Sequence, residues 1–417
     1  MKKTRSETRG ILGRFPYPDE WLDAGSDEIA KSIAKWADSE VIAKRLEARE
    51  DFAHQMKVFK ILASDIGLHK LIWPEDIGGV GLSVPGAAST LARAYEEVGR
   101  ADPGIAFVSA MNLSLAAVLI EDKKTSPALK RDIGSALCNG DELKLFSLVL
   151  PGLGDVDRGP LKMLSGREVQ AEMKKDRDMW VLNARHVRPL NSANDAYMYA
   201  VIAGTPDGFG LAFVKGGAAG VKRGEILKTT GLSASRSADI DFTNVKVSPD
   251  HVIPIDEDTY NRLIAWIDLL SGAITVGSGM DVYNIVKDWA DNRMIKGKGL
   301  LKNNPLDAAV LAQVAMDIIN SRLLVHNLAR AIAKLRTFGL KGGYDLFVLA
   351  ESVLVGVLDT CNHAINRAME LMGSAGYSKE WNVEKHWRDL KTMQVYLGGR
   401  IPFEMDVARA YYGSSGI

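Results

Sequence analysis

The chain has 417 residues, 47% of them hydrophobic, and its 52 Lys plus Arg balance 52 Asp plus Glu. That length allows two or three packed units with a real core, and zero formal net charge argues against nucleic acid or an anionic membrane surface as a bulk partner. The two cysteines, Cys138 and Cys361, fall in apolar helical patterns without disulfide or metal spacing, so buried thiols in a reducing cytoplasm are expected.

The N-terminus MKKTRSETRG is charged and no apolar signal core follows it. The text is read as lacking a stretch of about 18 uncharged apolar residues, which gives a soluble protein with no membrane partner. From Asp27 to about Cys138 apolar residues recur at three- and four-residue spacing, as in Ile29, Ile33 and Trp36, then Phe59, Leu62 and Ile66, which predicts helices. A Pro and Gly cluster from Trp73 to Leu82 must be a loop.

Near Lys144 the period changes. Leu143 to Leu150, Met179 to Leu182, Tyr197 to Ala203, Gly210 to Val214 and Ile240 to Val247 read as strands between Gly, Pro and Asp turns. Three long helical segments follow, Tyr260 to Arg293, Leu306 to Thr337 and Tyr344 to Met372, with breaks at Gly297-Lys298-Gly299 and Lys341-Gly342-Gly343. The expected fold class is α+β, mostly α: an N-terminal helical domain at 1–142, a middle β-barrel-like domain at 143–252 and a C-terminal four-helix bundle at 253–417.

The stretch from Met372 to Ile401 carries the most specific signal. A small-residue turn, Gly373-Ser374-Ala375-Gly376, is followed by the run Glu384-Lys385-His386-Trp387-Arg388-Asp389 and a second turn, Tyr396-Leu397-Gly398-Gly399. This resembles the C-terminal signature of the acyl-CoA dehydrogenase family, whose usual form runs GGxGY, EYPVE, RDAK and YEGT. The loop Pro74-Glu75 to Leu82 resembles the same family's PExxGGxGLS. With the helical, β, helical order the likeness covers the chain from about Asp27 to Tyr412.

The resemblance implies an acyl-CoA substrate, FAD, electron-transfer flavoprotein as electron acceptor, and a homo- or hetero-oligomer, dimer or tetramer, that shares FAD sites across chains. Phe146 to Asp155 corresponds to the TEPGAGSD-like strand and turn, which places Phe146, Leu148, Val149 and Gly154 at the flavin and Asp155 at the substrate; Val149 replaces a hydroxyl residue. Asn183 to Asn191 resembles NGxKxWITN, with Arg188 in place of the tryptophan beside the flavin and Leu190 in place of the next hydroxyl. Ser235 and Ser237, in the segment before the strand at Asp241, are implied substrate contacts. Arg293 matches the arginine that meets the FAD pyrophosphate of a neighbouring subunit, and Glu370, Gly373 and Ser374 complete the implied cofactor set. Met111, Asn112 and Leu113 lie where acyl tails end.

Leu397 and Gly398 fall at the substrate, but Leu397 stands where most members carry the catalytic glutamate, and leucine cannot abstract a proton. Some members place the base on the helix after the β domain, which brings Ile267 and Asp268 to that location. Asp268 lies in the apolar run Trp266 to Leu270, where a carboxyl has a raised pKa. An ion pair with Arg262, or with a basic group of a partner subunit, or a solvated face are the plain alternatives. Glu404 is a poorer candidate, and His186 and His386 read as structural. Three functions compete: α,β-desaturation with a relocated base, a catalytically silent subunit paired with a competent homologue, and non-oxidative acyl-CoA lyase chemistry.

Overall fold

The computed structural model describes residues 15–17, 24–48, 51–139, 142–152 and 162–413, and the structural statements below concern these. Helices α1 (Ala24–Trp36), α2 (Arg45–Ala48), α3 (Phe52–Lys60), α4 (Ala88–Ala101), α5 (Pro103–Glu121) and α6 (Pro127–Cys138) come first. The strands follow: β1 (Phe146–Val149), β2 (Lys162–Leu164), β3 (Arg167–Val169), β4 (Ala171–Asp176), β5 (Met179–Val187), β6 (Met198–Thr205), β7 (Gly208–Lys215), β8 (Val221–Arg223), β9 (Ile240–Val247) and β10 (Val252–Ile255). After α7 (Glu257–Asn292) a short ribbon, β11 (Met294–Ile295) and β12 (Gly299–Leu300), leads to α8 (Pro305–Ala333), α9 (Gly343–Met372), α10 (Val383–Met393) and α11 (Arg400–Tyr412).

Local chemistry sets where the helices begin. Asp102 accepts from the backbone N–H of Gly104 and Ile105 at 2.8 and 3.1 Å and Pro103 fills the first helical position, so α5 starts there. Asp256 caps α7 through Thr259 N–H at 2.9 Å, and Asn304 with Pro305 does the same for α8.

The eight-stranded sheet runs β10-β7-β6-β4-β5-β9-β8, with β1 added parallel to β6. Alternation along β6 divides the interior: Met198, Ala200 and Ile202 join the main helical core, whereas Tyr199, Val201 and Ala203 face a second core inside the β domain. The β2–β3 hairpin and β4 were not anticipated, because their text is charged and only Ala171 and Met173 of β4 turn inward.

α7 is the axis of the molecule, packed against α4, α5, α8 and α9. At its crossing with α4 the two backbones touch: a Cβ on Gly277 would lie 1.9 Å from the Glu96 carbonyl oxygen, and one on Gly99 would lie 2.4 Å from that of Ile274. Gly277→Ala therefore pushes the helices apart and should lower stability by about 2–3 kcal/mol. Urea unfolding measures this, and a change within error would show that the crossing relaxes freely.

The membrane reading needs one correction. α5 carries no charged residue before Glu121, and α5, α7 and α8 are each long and apolar enough to cross a membrane. In α5 and α7 the apolar windows are 94% and 100% buried inside the protein, so their character belongs to the core; the window of α8 is 33% buried. Both cysteines are buried, which pushes the thiol of Cys138 up to about 11 and that of Cys361 to about 12.

Candidate functional site

One third of the way along α7 the Asp268 carboxyl is wholly enclosed. Its Oδ1 accepts a 2.5 Å hydrogen bond from the Tyr396 hydroxyl, and its Oδ2 has no partner. Burial raises the carboxyl to about 7, against the opposing pull of the Tyr396 hydrogen bond and the Arg167 charge. The alternative partner Arg262 is engaged elsewhere, with Asp258 at 2.7 Å, and the solvated-face alternative is removed by the burial. Tyr396 is wedged edge-on between Phe107 and Phe403, with ring centroids 6.0 and 5.9 Å away.

Beyond Tyr396 the chain turns through three consecutive residues with positive φ: Leu397 at 51°, Gly398 at 94° and Gly399 at 83°. Glycine takes this region freely; leucine is strained in it. The half-buried Leu397 side chain packs on the main core, and Glu404 points to the surface, paired with Arg400 at 2.6 Å.

A second buried carboxyl lies near Asp268. Glu351 on α9 is 0% exposed, and neither of its oxygens meets a donor. Burial and the charges of Asp406 and Asp268 push it up to about 11, with Arg167 opposing. Arg167 comes from β3, holds Asp406 of α11 through both terminal nitrogens, and has Nη2 3.8 Å from Glu351 Oε1. A cleft of about 430 Å³ opens beside this group, lined among others by Ser165, Arg167, Tyr344, Phe347, Asp406 and Arg409.

The residues expected at a flavin ring do come together, but as a closed seam. Asn191 Oδ1 accepts from Leu148 N–H at 3.1 Å and its Nδ2 donates to the Phe146 carbonyl at 2.7 Å. Asn112 of α5 accepts from Phe146 N–H at 2.8 Å, Leu190 N–H donates to the Leu148 carbonyl at 2.8 Å, and Ser147 Oγ donates to the Asn191 carbonyl at 2.5 Å. Phe146 and Leu148 are 1% and 0% exposed in the main core, and Val149 is turned into the β-domain core. Met111, Asn112 and Leu113 are buried as well. The side chains of Phe146 and Leu148 are thus enclosed by protein, and their N–H groups are taken by Asn112 and Asn191.

Arg188 is exposed and forked onto Asp239 at 2.8 and 3.1 Å, an intradomain pair. Ser235 is buried, with Oγ 3.4 Å from Ser192 N–H, and Ser237 is half-buried with its carbonyl bonded to Leu227 N–H. Gly154 and Asp155 lie outside the described residues.

A separate group is open to solvent. Arg293 caps the C-terminus of α7; among the described residues its guanidinium faces the Trp289 ring at 5.4 Å and has no carboxylate partner. Trp289 also meets Trp381 edge-on at 5.0 Å, which brings the segment after Gly373 and Ser374 to the same side. Gly373, Ser374 and Gly398 are exposed, and Glu370 pairs with Arg367. An exposed guanidinium with no carboxylate partner among the described residues is suited to a diphosphate.

One constellation was missed. His386 stands between Ser278 Oγ, 2.7 Å from its Nδ1, and Asp281 Oδ2, 3.0 Å from its Nε2, and Arg45 adds a 2.6 Å bond to Asp281. Burial would raise Asp281, but His386 and Arg45 together hold it down at about 2. The order Ser, His, Asp suggests a nucleophile, yet Ser278 is 0% exposed in mid-helix, where backbone N–H groups are consumed by the helix and cannot form an oxyanion hole. The line clamps α7 to α10 and α2. A serine and an aspartate at i and i+3 on a buried helix were the available signal.

Against known proteins, the acyl-CoA dehydrogenase N-terminal domain model matches residues 24–141 and the C-terminal domain model residues 269–410. The chain is 23% identical over 393 residues to the probable acyl-CoA dehydrogenase FadE25 of Mycobacterium tuberculosis, covering 92% of this chain and 93% of that protein. It is 24% identical over 344 residues to the human mitochondrial short-chain specific acyl-CoA dehydrogenase, covering 80% and 77%. Among solved structures, butyryl-CoA dehydrogenase from Megasphaera elsdenii superposes with a TM-score of 0.80 at 20% identity, over 94% of this chain and 99% of that one. A glutaryl-CoA dehydrogenase from Mycobacterium smegmatis in complex with FADH2 superposes at 0.77 with 18% identity, over 96% and 97%.

Proposed function

The chain belongs to the acyl-CoA dehydrogenase family of FAD-dependent oxidoreductases, and from that premise we propose that it serves acyl-CoA oxidation as the non-oxidising subunit of a hetero-oligomer. The observation that carries this reading is the closed seam: Leu148 is 0% exposed, its N–H is taken by Asn191, and the nearby base position holds Leu397. The homologous partner supplies the carboxylate that removes the α-proton of the acyl thioester. FAD, when bound there, supplies the hydride acceptor for the β-carbon, and electron-transfer flavoprotein takes the electrons onward.

This chain's own residues would act on the outside of that site. Arg293 pairs with the diphosphate of the partner's FAD, and the Ser374 hydroxyl donates beside it. The outer face of α8, where Leu306, Met316, Leu323 and Leu324 are exposed, gives an apolar surface for burial between subunits.

The test is anaerobic titration with butyryl-CoA, on the chain alone and on its complex with a homologue carrying an intact glutamate turn. The chain alone should be colourless. The complex should be yellow and bleach, and Arg293→Ala should release its flavin at least about tenfold more readily, which is roughly 1.4 kcal/mol. A yellow chain that bleaches by itself would refute the reading.

That outcome would favour a second one, which a specific observation supports. Asp268, with one free oxygen and a carboxyl near 7, is poised as a base on the helix next to the turn. In that case Asp268→Asn abolishes bleaching while flavin stays bound.

A further inference from the structure

We propose that Arg93, Arg322 and His326 form a recognition socket for an aromatic-proline-aromatic peptide segment, occupied in this chain by its own Phe15-Pro16-Tyr17. The segment precedes α1 in the sequence, yet its partners come from α4, α7 and α8, with Arg322 lying 307 positions from Phe15. Phe15 and Tyr17 are each followed by a proline, Pro16 and Pro18. Both are therefore biased toward extended backbone, and a pre-extended segment loses little entropy on docking.

Three features of the segment are read. The Phe15 side chain is buried in the main core and meets the Tyr283 ring of α7 edge-on, with centroids 5.2 Å apart. The Phe15 carbonyl accepts a hydrogen bond from Arg322 Nη1. Two guanidinium groups face the Tyr17 ring, that of Arg322 at 4.2 Å and that of Arg93 at 5.7 Å from its centroid, and the His326 imidazole stacks on it at 5.3 Å. A partly desolvated cation over an aromatic face is attracted by the ring quadrupole. An aliphatic side chain at position 17 would offer no such face.

Buried ionic groups hold these readers in place. Arg322 and His326 lie one turn apart on the buried side of α8 and are 4% and 1% exposed. Arg322 forks onto the wholly buried Glu96 of α4 through Nε and Nη2 at 2.7 and 2.6 Å, and His326 Nε2 lies 3.0 Å from the same carboxylate. Burial would raise the Glu96 carboxyl, but Arg322 and His326 together hold it well below its ordinary value. Arg93 is held in turn by Glu97 at 2.7 Å. Carboxylates of α4 thus orient both guanidinium groups, and Nη1 of Arg322 is left for the segment's backbone. Recognition resides in this socket and not in the tether, so the same sequence offered as a free peptide is bound once the segment's own rings are removed.

The experiment titrates a fluorescein-labelled peptide with the sequence of residues 13–20, GRFPYPDE, against the full chain and reads anisotropy. Neither flavin nor a partner subunit is present, so the outcome is decided apart from the functional reading above. The variant Phe15→Ala/Tyr17→Ala should bind the peptide with a dissociation constant below about 100 μM. Wild type should bind it at least about tenfold more weakly, because the tethered segment competes at roughly millimolar effective concentration. Against the variant, a peptide carrying Tyr17→Trp should bind as well as the parent, and one carrying Tyr17→Leu at least about tenfold less tightly. No binding to the variant, equal binding to variant and wild type, or equal binding of the Tyr17→Leu peptide would overturn the socket. If the double variant does not fold, Tyr17→Ala carries the same expectations, and the same failures count against it.

Discussion

Glu351→Gln should leave stability near wild type at pH 5 and raise it by about 2–4 kcal/mol at pH 8, because the wild-type fold holds a proton on Glu351 that the unfolded chain releases. The folded carboxyl is pushed up to about 11, first by burial and then by Asp406 and Asp268, from an ordinary value of 4.5. For a group raised on folding, the stabilising contribution is complete below the unfolded pKa and is lost as pH rises toward the folded one. Between pH 4.5 and 11 the native state binds the extra proton, and each pH unit removes about 1.4 kcal/mol of stability from this source. Glutamine has the shape of the neutral acid and no proton to lose. Urea midpoints measured from pH 5 to pH 9 check this, and parallel wild-type and variant curves would show that Glu351 is charged in the fold. Asp268 adds a slope of the same sign over a narrower window, between its ordinary value of 3.8 and about 7.

Lys385→Met should lower stability by about 3–5 kcal/mol, the size of effect expected when one partner of a buried ionic cluster is removed. Lys385 Nζ lies 3.0 Å from Asp102 Oδ2 and 2.7 Å from Asp389 Oδ2. Burial by itself would lower the ammonium pKa, but the two carboxylates together raise it. Each carboxylate also holds a second element in place, since Asp102 caps α5 and Asp389 accepts the Leu232 N–H at 2.7 Å. One ammonium therefore joins the N-terminal helices, the β domain and α10. Methionine preserves the length of the stem and leaves two carboxylates facing each other across a dry gap. The double variant Lys385→Met/Asp389→Asn should recover part of the loss, and a single variant within 1 kcal/mol of wild type, roughly the worth of an exposed pair, would show that water reaches the site.

These two buried groups also indicate how function and fold divide in this chain. The family scaffold is retained and its ionic joints are complete, while the seam expected to carry a flavin ring is sealed by Asn112 and Asn191. Residues that remain open, above all Arg293, face outward.

Much of the architecture was legible in the amino-acid text. The change from a helical period to an extended one near Lys144, and its return before α7, marked the three regions, because amphipathic periods are local and each element must bury its own apolar face. The three long C-terminal helices were placed to within a few residues by their glycine and proline breaks. The buried, raised carboxyl of Asp268 followed from one acid in an apolar helical run. Leu397 in the base position was visible from motif order.

What the text could not supply depends on residues far apart in the chain. Arg167 finds Asp406 across 239 positions, and a charged hairpin of weak pattern becomes a buried element only because that partner exists. Arg188, expected beside a flavin, is held by Asp239 just before β9, and Asn112 reaches from α5 to close β1. His386 reads as an isolated residue until α10 lies against α7. Sequence by itself determined the long helices, the strands of strong apolar pattern, the order of the three regions and the family, since these follow from local periodicity and motif spacing. Only the tertiary structure decided which polar groups meet and which faces are shut, because desolvation and charge pairing act between surfaces that folding alone brings together.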